Sequence, residues 1–478
     1  MNGNTASGPV PLIIDGVDTK TDHTFGVCDP QTGIELWKAY GSTAKEANAA
    51  AEAAQRAFPI WSGMSYLERR DLLLKAAGKL AARIEELKQI SMQETAAARD
   101  WADFDCDMSV FILREAASLI SSITAESPPT LEPDSTALVY KVPFGVVLSI
   151  APWNAPVLLG TRSIAYPLAG GNTVVLKASE LSARSHFLLA ECFRDAGFPP
   201  GVVNVVAHEP ARGPEVIGAL IKHPAVRKIN FTGSTIVGRI LAQQAARELK
   251  PILLELGGKA PIIVLEGADV KSVAMSAAWS SNAHAGQVCM AAERIIVLDS
   301  VAADLETALA QTYKEMYPSS SYKPQPAIQT SGVQKVQELL EDATANGAAI
   351  VAGEPTATSG TTRSLQPVVL KNVEKSKLFY TESFGPVLSL IVVPTIDEAV
   401  RVANDTEYGL SASVWGNLPE AIKVAKRIDS GAVHINGSTI HDEPTLPHGG
   451  FKSSGTGRFG GKWGVAEFMT TKTIRFKV

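Results

Sequence analysis

Apolar residues recur along this chain with two different periods. In residues 12–17 and 24–37, short apolar runs are separated by Asp-Gly and Pro-Gln-Thr-Gly turns, which predicts short surface strands. Residues 43–58, 65–95 and 101–123 have apolar side chains three or four positions apart, as amphipathic helices do. We therefore predict that the chain begins with short strands and continues with three helices.

Between residues 145 and 256, short apolar strands alternate with helical segments. This alternation is typical of a parallel sheet that is covered by helices on both faces. Ligands of such sheets bind beyond the carboxyl ends of the strands, where the candidate residues of this chain cluster. A second run of the same kind begins at Pro261, so the predicted fold class is α/β. The predicted strands of the first run are 146–150, 173–177, 202–206 and 228–231.

Two further strands lie at a distance from both runs. Residues 126–133 contain three prolines, so we expect the chain to cross there between two structural units. Residues 138–143 and 470–478 alternate apolar and polar side chains, as strands with one apolar face do. They are expected either to pair, with each other or with the sheet of another subunit, or to end as edges that face solvent.

The overall composition excludes several classes of protein. The 478 residues exceed one ordinary core, which predicts roughly two to four domains or lobes. A formal charge of −5 gives no reason to expect nucleic acid as a partner, and no basic run suggests a membrane surface. No apolar run approaches the ~20 residues of a membrane helix, and residues 1–10 lack the features of a signal peptide. We therefore expect a cytoplasmic protein whose partners are small molecules and other subunits.

The cysteines are too few and too scattered for a disulfide framework or a C-x-x-C metal site. We therefore expect no metal and a reducing compartment. Three of them lie outside any motif and are interpreted as structural. The four are Cys28, Cys106, Cys192 and Cys289.

Two stretches contain the residue types that thiol-based acyl chemistry needs. They are E-L-G-G-K, which begins at Glu255, and G-Q-V-C, which ends at Cys289. A thiolate can attack a carbonyl carbon, and a carboxylate can activate the water that ends the cycle. Each fragment alone has a plainer interpretation, because an isolated cysteine is often inert and buried and a glutamate often ends a strand.

Other stretches favour a dinucleotide site. The segment 231–238 follows a strand and opens a helix, so backbone N–H groups and the Ser234 hydroxyl could meet a pyrophosphate. Lys177 and Glu180 could hold the hydroxyls of an adenosine ribose, and the carboxylate would repel a 2′-phosphate. A simple turn and an exposed Lys/Glu pair are the respective alternatives.

Two residue groups could face the reacting end of such a cofactor. Glu382 and Phe384, ahead of a Gly-Pro turn, offer a carboxylate for a second ribose and a ring for a nicotinamide. Asn154 presents an amide that could stabilise an oxyanion together with the backbone N–H of Cys289. The alternative for Asn154 is the N-cap of the following helix.

Taken together and in this order, seven motifs resemble those of the NAD(P)-dependent aldehyde dehydrogenases across nearly the whole chain. The motifs are P-W-N at 152–154, K-A-S-E at 177–180, F-T-G-S-T-x-x-G at 231–238, E-L-G-G-K at 255–259, G-Q-V-C at 286–289, E-S-F-G-P at 382–386 and P-H-G-G-F-K-S-S-G at 447–455.

The resemblance implies a domain organisation. A Rossmann-type cofactor domain would comprise residues 1–124 and 144–254, and a catalytic domain residues 255–445. Residues 125–143 and 446–478 would form a small β arm for oligomerisation, which favours pairing between subunits in a homodimer or homotetramer.

The resemblance also implies a reaction and its residues. Cys289 would add to the aldehyde carbon, Asn154 would help to hold the oxyanion, and Glu255 would deprotonate the water that releases the acid. NAD is expected as the cofactor rather than NADP. The residues expected to bind it are Ile150, Trp153, Lys177, Glu180, Gly233, Ser234, Gly238, Leu256, Glu382 and Phe384.

A helix after Asn154 would place substrate residues on one face. Ala155, Leu158, Leu159 and Arg162 are spaced i, i+3, i+4 and i+7. Arg162 could bind a hydroxyl, phenolate or carboxylate of the substrate, or instead pair with a structural carboxylate.

This region and the stretch R-E-A-A-S-L at 114–119 resemble the salicylaldehyde and vanillin dehydrogenase branch. The resemblance implies an aromatic aldehyde as substrate. A semialdehyde or aliphatic aldehyde dehydrogenase of the same fold, and a non-catalytic structural member, are the alternatives.

Overall fold

The computed structural model describes residues 8–318, 321–354 and 363–477. Its α-helices are α1 (Ala44–Gly63), α2 (Tyr66–Ala82), α3 (Ile84–Thr95), α4 (Arg99–Leu119), α5 (Pro156–Ala169), α6 (Ala183–Asp195), α7 (Gly213–Lys222), α8 (Thr235–Arg247), α9 (Val270–Asn282), α10 (Asp299–Met316), α11 (Thr330–Ala345), α12 (Ile396–Asn404), α13 (Leu418–Ala425) and α14 (Gly461–Glu467).

The β-strands of the described residues are distributed from Leu12 to Lys477. They are β1 (Leu12–Ile14), β2 (Val17–Thr19), β3 (Thr24–Cys28), β4 (Glu35–Tyr40), β5 (Ser135–Pro143), β6 (Val146–Ile150), β7 (Thr173–Lys177), β8 (Val203–Val206), β9 (Val226–Thr232), β10 (Ile252–Glu255), β11 (Ala260–Val264), β12 (Ala292–Leu298), β13 (Ala349–Gly353), β14 (Val368–Lys371), β15 (Val387–Val393), β16 (Ser411–Trp415), β17 (Ala432–Ile435), β18 (Gly455–Thr456) and β19 (Met469–Lys477). Among the described residues we find no helix with the length and apolar character that a membrane span requires.

The first large sheet has eight strands in the order β18-β10-β9-β6-β7-β8-β1-β2. The five strands from β10 to β8 are parallel to one another, and the outer strands run antiparallel to their neighbours. Both faces of β7 are buried, because Val174 and Leu176 pack in the cluster that contains α5 and α6, whereas Val175 packs in the cluster that contains α1 and α7. The continuous apolar runs in the sequence follow from this burial on both faces.

The second large sheet has seven strands in the order β13-β14-β15-β12-β11-β16-β17. All neighbouring strands are parallel except β13 and β14. Ile263 faces α11, α12 and α13, and Ile262 faces α9 and α10, so this sheet is also covered on both sides. The predicted α/β fold class is confirmed.

One predicted helix is wrong in its extent. The apolar spacing indicates a single helix at 65–95, but the structure has α2 and α3, which meet at Arg83. Arg83 has φ −109° and ψ 15°, which ends the first helix. Its guanidinium binds Glu86 in α3 and Glu191 in α6, so the break lets one side chain tie three helices together.

The two isolated strands β5 and β19 pair with each other in antiparallel register, from Met469 opposite Pro143 to Lys477 opposite Ser135. This is one of the outcomes that the alternating pattern allows, and it produces a two-stranded sheet separate from the two large ones. The short strand β18, in contrast, joins β10 in the first large sheet. The domain boundaries and the pairing between subunits stay predictions.

The first sheet brings the ends of its central strands to one edge. Glu255, the last residue of β10, lies opposite Thr232 of β9, and Ile150, the last residue of β6, lies opposite Phe231 and Lys177. The backbone that follows each strand therefore begins at the same edge of the sheet, which is where ligands bind in open parallel sheets.

Helix α5, which starts after Ala155, is held at its beginning by a carboxylate from another helix. Asp105 in α4 is buried and accepts hydrogen bonds from the N–H groups of Leu158 at 2.7 Å and Val157 at 3.4 Å. Burial raises the pKa of Asp105 to about 7, although these N–H donors oppose the shift. The first N–H groups of a helix have no partner within it, so Asp105 replaces an N-cap.

We predict that Asp105→Ala lowers the free energy of unfolding by about 2 kcal/mol, because two buried N–H groups lose their acceptor. Asp304→Ala, at an exposed position of α10, is the control and should change stability by less than about 0.5 kcal/mol. Thermal unfolding of the three proteins measures the difference. A midpoint for Asp105→Ala equal to that of the control would contradict this role of Asp105.

Candidate active site

Cys289 and Glu255 are 34 residues apart in sequence and meet in the structure. The thiol of Cys289 donates a hydrogen bond to Oε1 of Glu255, with 3.3 Å between Sγ and Oε1. Glu255 ends β10 and is 1% exposed, whereas Cys289 is half-buried in the loop between α9 and β12. Both side chains line a cavity of about 500 Å³ that also borders Thr232, Gly233 and Ser234. This volume lies within the ~300–1,000 Å³ of typical small-molecule sites.

Glycines allow the backbone around Cys289 to come close to two other loops. Gly286 has φ +75°, and a Cβ there would lie 2.3 Å from the carbonyl of Gly385. A Cβ on Gly258 would lie 2.4 Å from the carbonyl oxygen of Cys289. The glycines of the G-Q-V-C and E-L-G-G-K motifs are therefore required by close backbone approach.

Asn154 lies beside the same loop. Its side-chain Nδ2 donates to the backbone carbonyl of Gln287 at 3.0 Å, and the backbone carbonyl of Asn154 accepts from the indole N–H of Trp101 at 2.8 Å. The side chain is buried and lines the cavity. The interpretation of Asn154 as a helix N-cap is wrong, since Ala155 occupies that position in α5.

The two acids of the site differ in their electrostatic environment. Burial raises the pKa of the Cys289 thiol well above its usual value, and the charge of Glu255 raises it further. Burial also raises the pKa of Glu255, but the hydrogen bond and charge of His448 and the charge of Arg162 outweigh it, so this pKa lies below its usual value. The resting pair is therefore a thiol that donates to a carboxylate.

Arg162 is directed towards carboxylates of the protein. Its Nη1 lies 2.7 Å from Oδ2 of Asp442 and its Nη2 lies 3.8 Å from Oε2 of Glu255. The side chain is 3% exposed. Pairing with a structural carboxylate is the alternative that the sequence left open for this residue.

The other three residues of the candidate substrate face, Ala155, Leu158 and Leu159, are buried at the start of α5. They belong to the apolar cluster against which Cys289 packs. None of the three, nor Arg162, is among the described residues that line the 500 Å³ cavity. The structure therefore places the α5 face in the same apolar cluster as the cysteine loop and outside the lining of that cavity.

The candidate cofactor residues are divided between the cavity and its surroundings. Ser234 caps α8 by accepting from the N–H of Val237, and Lys177 binds Glu180 with 3.1 Å between Nζ and Oε2. Lys177 is buried, so the interpretation of Lys177 and Glu180 as an exposed pair is wrong for Lys177. Those that line the cavity are Trp153, Gly233, Ser234, Leu256, Glu382 and Phe384. Those that do not line it are Ile150, Lys177, Glu180 and Gly238.

Close packing explains Gly238 in α8. A Cβ at this position would lie 2.6 Å from the Leu256 side chain, so glycine lets the helix start approach the residue after Glu255. Gly233 and Ser234, which come directly before the first turn of α8, line the cavity. A helix start fits an anionic group such as a pyrophosphate.

A buried ion pair holds the loop that contains Glu382 and Phe384. Lys259 binds Glu293, and Glu293 accepts from the N–H groups of Ser383 at 2.8 Å and Phe384 at 3.2 Å. Glu382 accepts from the N–H of Gly258 at 2.8 Å, and burial raises its pKa to about 7. The E-L-G-G-K, G-Q-V-C and E-S-F-G-P motifs are therefore joined into one unit around the cavity.

Several residues of the site had no assigned role in the sequence. Trp101 and Asp105 lie in α4, where the apolar spacing indicated only a structural helix. His448 stands within the P-H-G-G-F-K-S-S-G motif, which offered a signal, whereas Asp442 stands six residues before it and outside any motif. His448 contacts Glu255, and Asp442 contacts His448 and Arg162, so both come to the site from the far end of the chain.

Comparison with known proteins agrees with this geometry. The model of the aldehyde dehydrogenase family matches residues 17–474. The chain is 43% identical over 473 residues to a vanillin dehydrogenase of Pseudomonas fluorescens, with 97% of each chain covered. It is 37% identical over 470 residues to a salicylaldehyde dehydrogenase of Pseudomonas putida, with 96% of this chain and 95% of that protein covered.

A solved structure is similar over the same extent. It is the structure of a salicylaldehyde dehydrogenase from Pseudomonas putida G7 in complex with salicylaldehyde. The two chains are 35% identical and superimpose with a TM-score of 0.94, and the match covers 98% of each chain. The family match, the relatives and the paired cysteine and glutamate lead to one conclusion: the chain belongs to the aldehyde dehydrogenase family.

Proposed function

We propose that this protein oxidises aromatic aldehydes to carboxylic acids with NAD as the hydride acceptor. The observation that carries the proposal is the 3.3 Å hydrogen bond between Cys289 Sγ and Glu255 Oε1 at the wall of a cavity bordered by the start of α8. A nucleophile, a base and a site for a dinucleotide are the parts that this reaction requires.

In the first half of the proposed reaction, the thiol of Cys289 loses its proton to solvent and the sulfur bonds to the aldehyde carbon. The carbonyl oxygen becomes an oxyanion, which the amide of Asn154 and the N–H of Cys289 stabilise. NAD, held by the residues that line the cavity, would supply the acceptor for the hydride that leaves this carbon. The product that remains on Cys289 is a thioester.

In the second half, water replaces the thiol as the hydrogen-bond donor to Glu255. The carboxylate takes a proton from the water while the oxygen bonds to the thioester carbon, and the C–S bond then breaks with its electron pair returning to sulfur. The depressed pKa of Glu255 supports this role, since a base must be ionised before it can act.

The dinucleotide would extend from the cavity to the end of β7. Gly233 and Ser234 are proposed to bind the pyrophosphate, with Lys177 and Glu180 on the adenosine ribose. Burial raises the pKa of Glu180, but the charge of Lys177 outweighs it, which keeps the carboxylate ionised. A carboxylate at this position repels the 2′-phosphate of NADP, which supports NAD as the preferred cofactor.

The aromatic substrate is supported by the relatives and by the side chains near Cys289. Vanillin and salicylaldehyde dehydrogenases are both similar to this chain over nearly its whole length. Ala155 and Leu159 offer small and apolar side chains within the cluster against which Cys289 packs. The semialdehyde alternative needs a cation for a second carboxylate, and the guanidinium of Arg162 already lies against Asp442 and Glu255.

A homo-oligomer is proposed to form through the β5 and β19 pair. Ile474 and Phe476 on β19 are exposed, and the outer edge of β19 pairs with no other strand in the part of the chain that the structure describes. Exposed apolar side chains on an open sheet edge are typical of a surface that pairs with another chain.

Substitution of the two central residues separates the two halves of the reaction. We predict that Cys289→Ser abolishes NADH formation, whereas Glu255→Gln forms about one NADH per active subunit in a rapid burst and then turns over at least ~100-fold more slowly than the wild type. Stopped-flow absorbance at 340 nm measures both phases. Cys28→Ser, at an exposed cysteine, is the control and should behave as the wild type. Normal steady-state turnover by Glu255→Gln would exclude Glu255 as the base.

The choice of cofactor depends on a single charge in this proposal. We predict that Glu180→Gln raises the ratio of kcat/KM with NADP to kcat/KM with NAD about tenfold, because the repulsion of the 2′-phosphate is removed. Glu374→Gln, a surface carboxylate remote from the cavity, should leave the ratio unchanged. Equal ratios for the two variants would contradict the position given to Glu180.

A substrate panel tests the aromatic preference. We expect kcat/KM for benzaldehyde, salicylaldehyde and vanillin to exceed the values for short aliphatic aldehydes and succinic semialdehyde by about tenfold or more, which corresponds to about 1.4 kcal/mol of differential transition-state binding. Steady-state rates at saturating NAD supply the comparison. A tenfold preference for an aliphatic aldehyde or for the semialdehyde would reject the aromatic assignment.

A further inference from the structure

The carboxylate of Glu255 has partners on both sides. Its Oε1 accepts from Cys289 and lies 3.4 Å from Nε2 of His448. Its Oε2 lies 3.8 Å from Nη2 of Arg162 and accepts no hydrogen bond from any described residue. A carboxylate that is 1% exposed thus depends on two side chains that carry or can carry positive charge.

Asp442 closes the arrangement on the opposite side. Its Oδ2 binds Nη1 of Arg162 at 2.7 Å, and its Oδ1 lies 3.8 Å from Nδ1 of His448. The four side chains therefore form a ring, in which each carboxylate faces both the guanidinium and the imidazole. All four side chains are at most 9% exposed.

The ring draws on segments that are far apart in sequence. Glu255 ends β10, Arg162 lies in α5, and Asp442 and His448 lie between β17 and β18. The guanidinium of Arg162 also lies 5.0 Å from the ring centre of Phe459, which fixes its plane. These elements fix the ring from several directions, so it does not rest on one flexible loop.

A further histidine, His434, lies near the imidazole of His448 without belonging to the ring. His434 interacts electrostatically with His448, Asp442 and His441. Burial lowers the pKa of His434 to about 4, so this histidine is neutral near pH 7 and adds no competing charge. His441 is exposed and binds Glu443 with 2.7 Å between Nε2 and Oε1.

We propose that His448, together with Arg162 and Asp442, is a positioning residue that keeps Glu255 ionised and facing the sulfur of Cys289 during thioester hydrolysis. The inference rests on the proposed roles of Cys289 and Glu255. His448 acts on Glu255, the proposed base, and not on the substrate.

The contacts give His448 a role that differs between the two halves of the reaction. While Cys289 is a thiol, it shares Oε1 of Glu255 with His448. Once the sulfur is acylated, it has no proton to donate, so the imidazole is the remaining donor to that oxygen among these two. The hydrogen bond from Nε2 then prevents the carboxylate from rotating away while water binds. Loss of His448 is therefore expected to slow hydrolysis more than hydride transfer.

The variant His448→Phe tests this inference because the ring size is kept and both nitrogens are removed. We expect a burst of about one NADH per active subunit and a steady-state turnover per burst site that falls about tenfold or more. Without His448, only Arg162 of the ring opposes the effect of burial, so the pKa of Glu255 should rise. The acid limb of the pH profile of turnover should therefore move to higher pH. His448→Gln, whose amide can donate to Oε1, should recover much of the turnover.

Two controls make the result specific to the ring. His441→Phe lies on the same segment without contact to Glu255 and should match the wild type in burst, turnover and pH profile. An aryl ester acylates Cys289 without hydride transfer, so the steady phase that follows the burst of phenol release measures deacylation and should show the same loss in His448→Phe. Turnover is divided by the number of burst sites, which corrects for inactive protein. If Phe does not fit at position 448, His448→Leu has a smaller side chain and gives the same comparison.

The outcomes separate this inference from the proposed function. If Glu255→Gln stops after the burst while His448→Phe keeps the wild-type turnover and acid limb, the inference is overturned and the role of Glu255 stands. If Glu255→Gln turns over normally, the role of Glu255 is wrong and the inference is lost with it. A slower turnover of His448→Phe with an unmoved acid limb and no recovery by Gln would show a merely structural histidine and would also overturn the inference.

Discussion

The site depends on a carboxylate that is charged although it is buried. Removal of an ionised carboxylate from water is costly unless charges or hydrogen bonds compensate for it, and an uncompensated Glu255 would bind a proton and lose its basicity. Arg162 and His448 supply the compensation here, and Asp442 limits how much positive charge they present. The same burial keeps Cys289 protonated at rest, so the carboxylate beside it is the acceptor of its hydrogen bond.

The parallel sheet makes this arrangement possible by ending neighbouring strands at one edge. Glu255 and Lys177 end strands of one sheet, but Cys289 arrives from a loop that leads into the other sheet. Loops that meet at such a junction must come close without side chains between them, as Gly258 and Gly286 do. The buried pair of Lys259 and Glu293 then fixes the loops with charge-assisted hydrogen bonds, which are stronger than neutral ones.

The sequence predicted what depends on local pattern and on motifs. The apolar runs located the parallel strands β6 to β9 of the first sheet and the start of the second run at β11, and the spacing after Asn154 located α5 and the face that carries Arg162. The break at Arg83 could not be predicted, because helix propensity and apolar spacing continue through it and the cause is a contact with Glu191, 108 residues away. Contacts over such separations, like that of Arg162 with Asp442, leave no periodic signal in one sequence.

Arg162 shows why the residue type alone does not define a role. The spacing of Arg162 after Ala155 suggested a substrate contact, and the helix that this spacing requires is present as α5. The guanidinium nevertheless lies between two carboxylates of the protein, so its charge is already balanced within the fold. A substrate would then be selected near Cys289 by shape and apolar contact rather than by its own charge. Under the proposed mechanism, the helix that provides this apolar surface also holds the base in its ionised form, so a change in α5 would alter both substrate choice and hydrolysis.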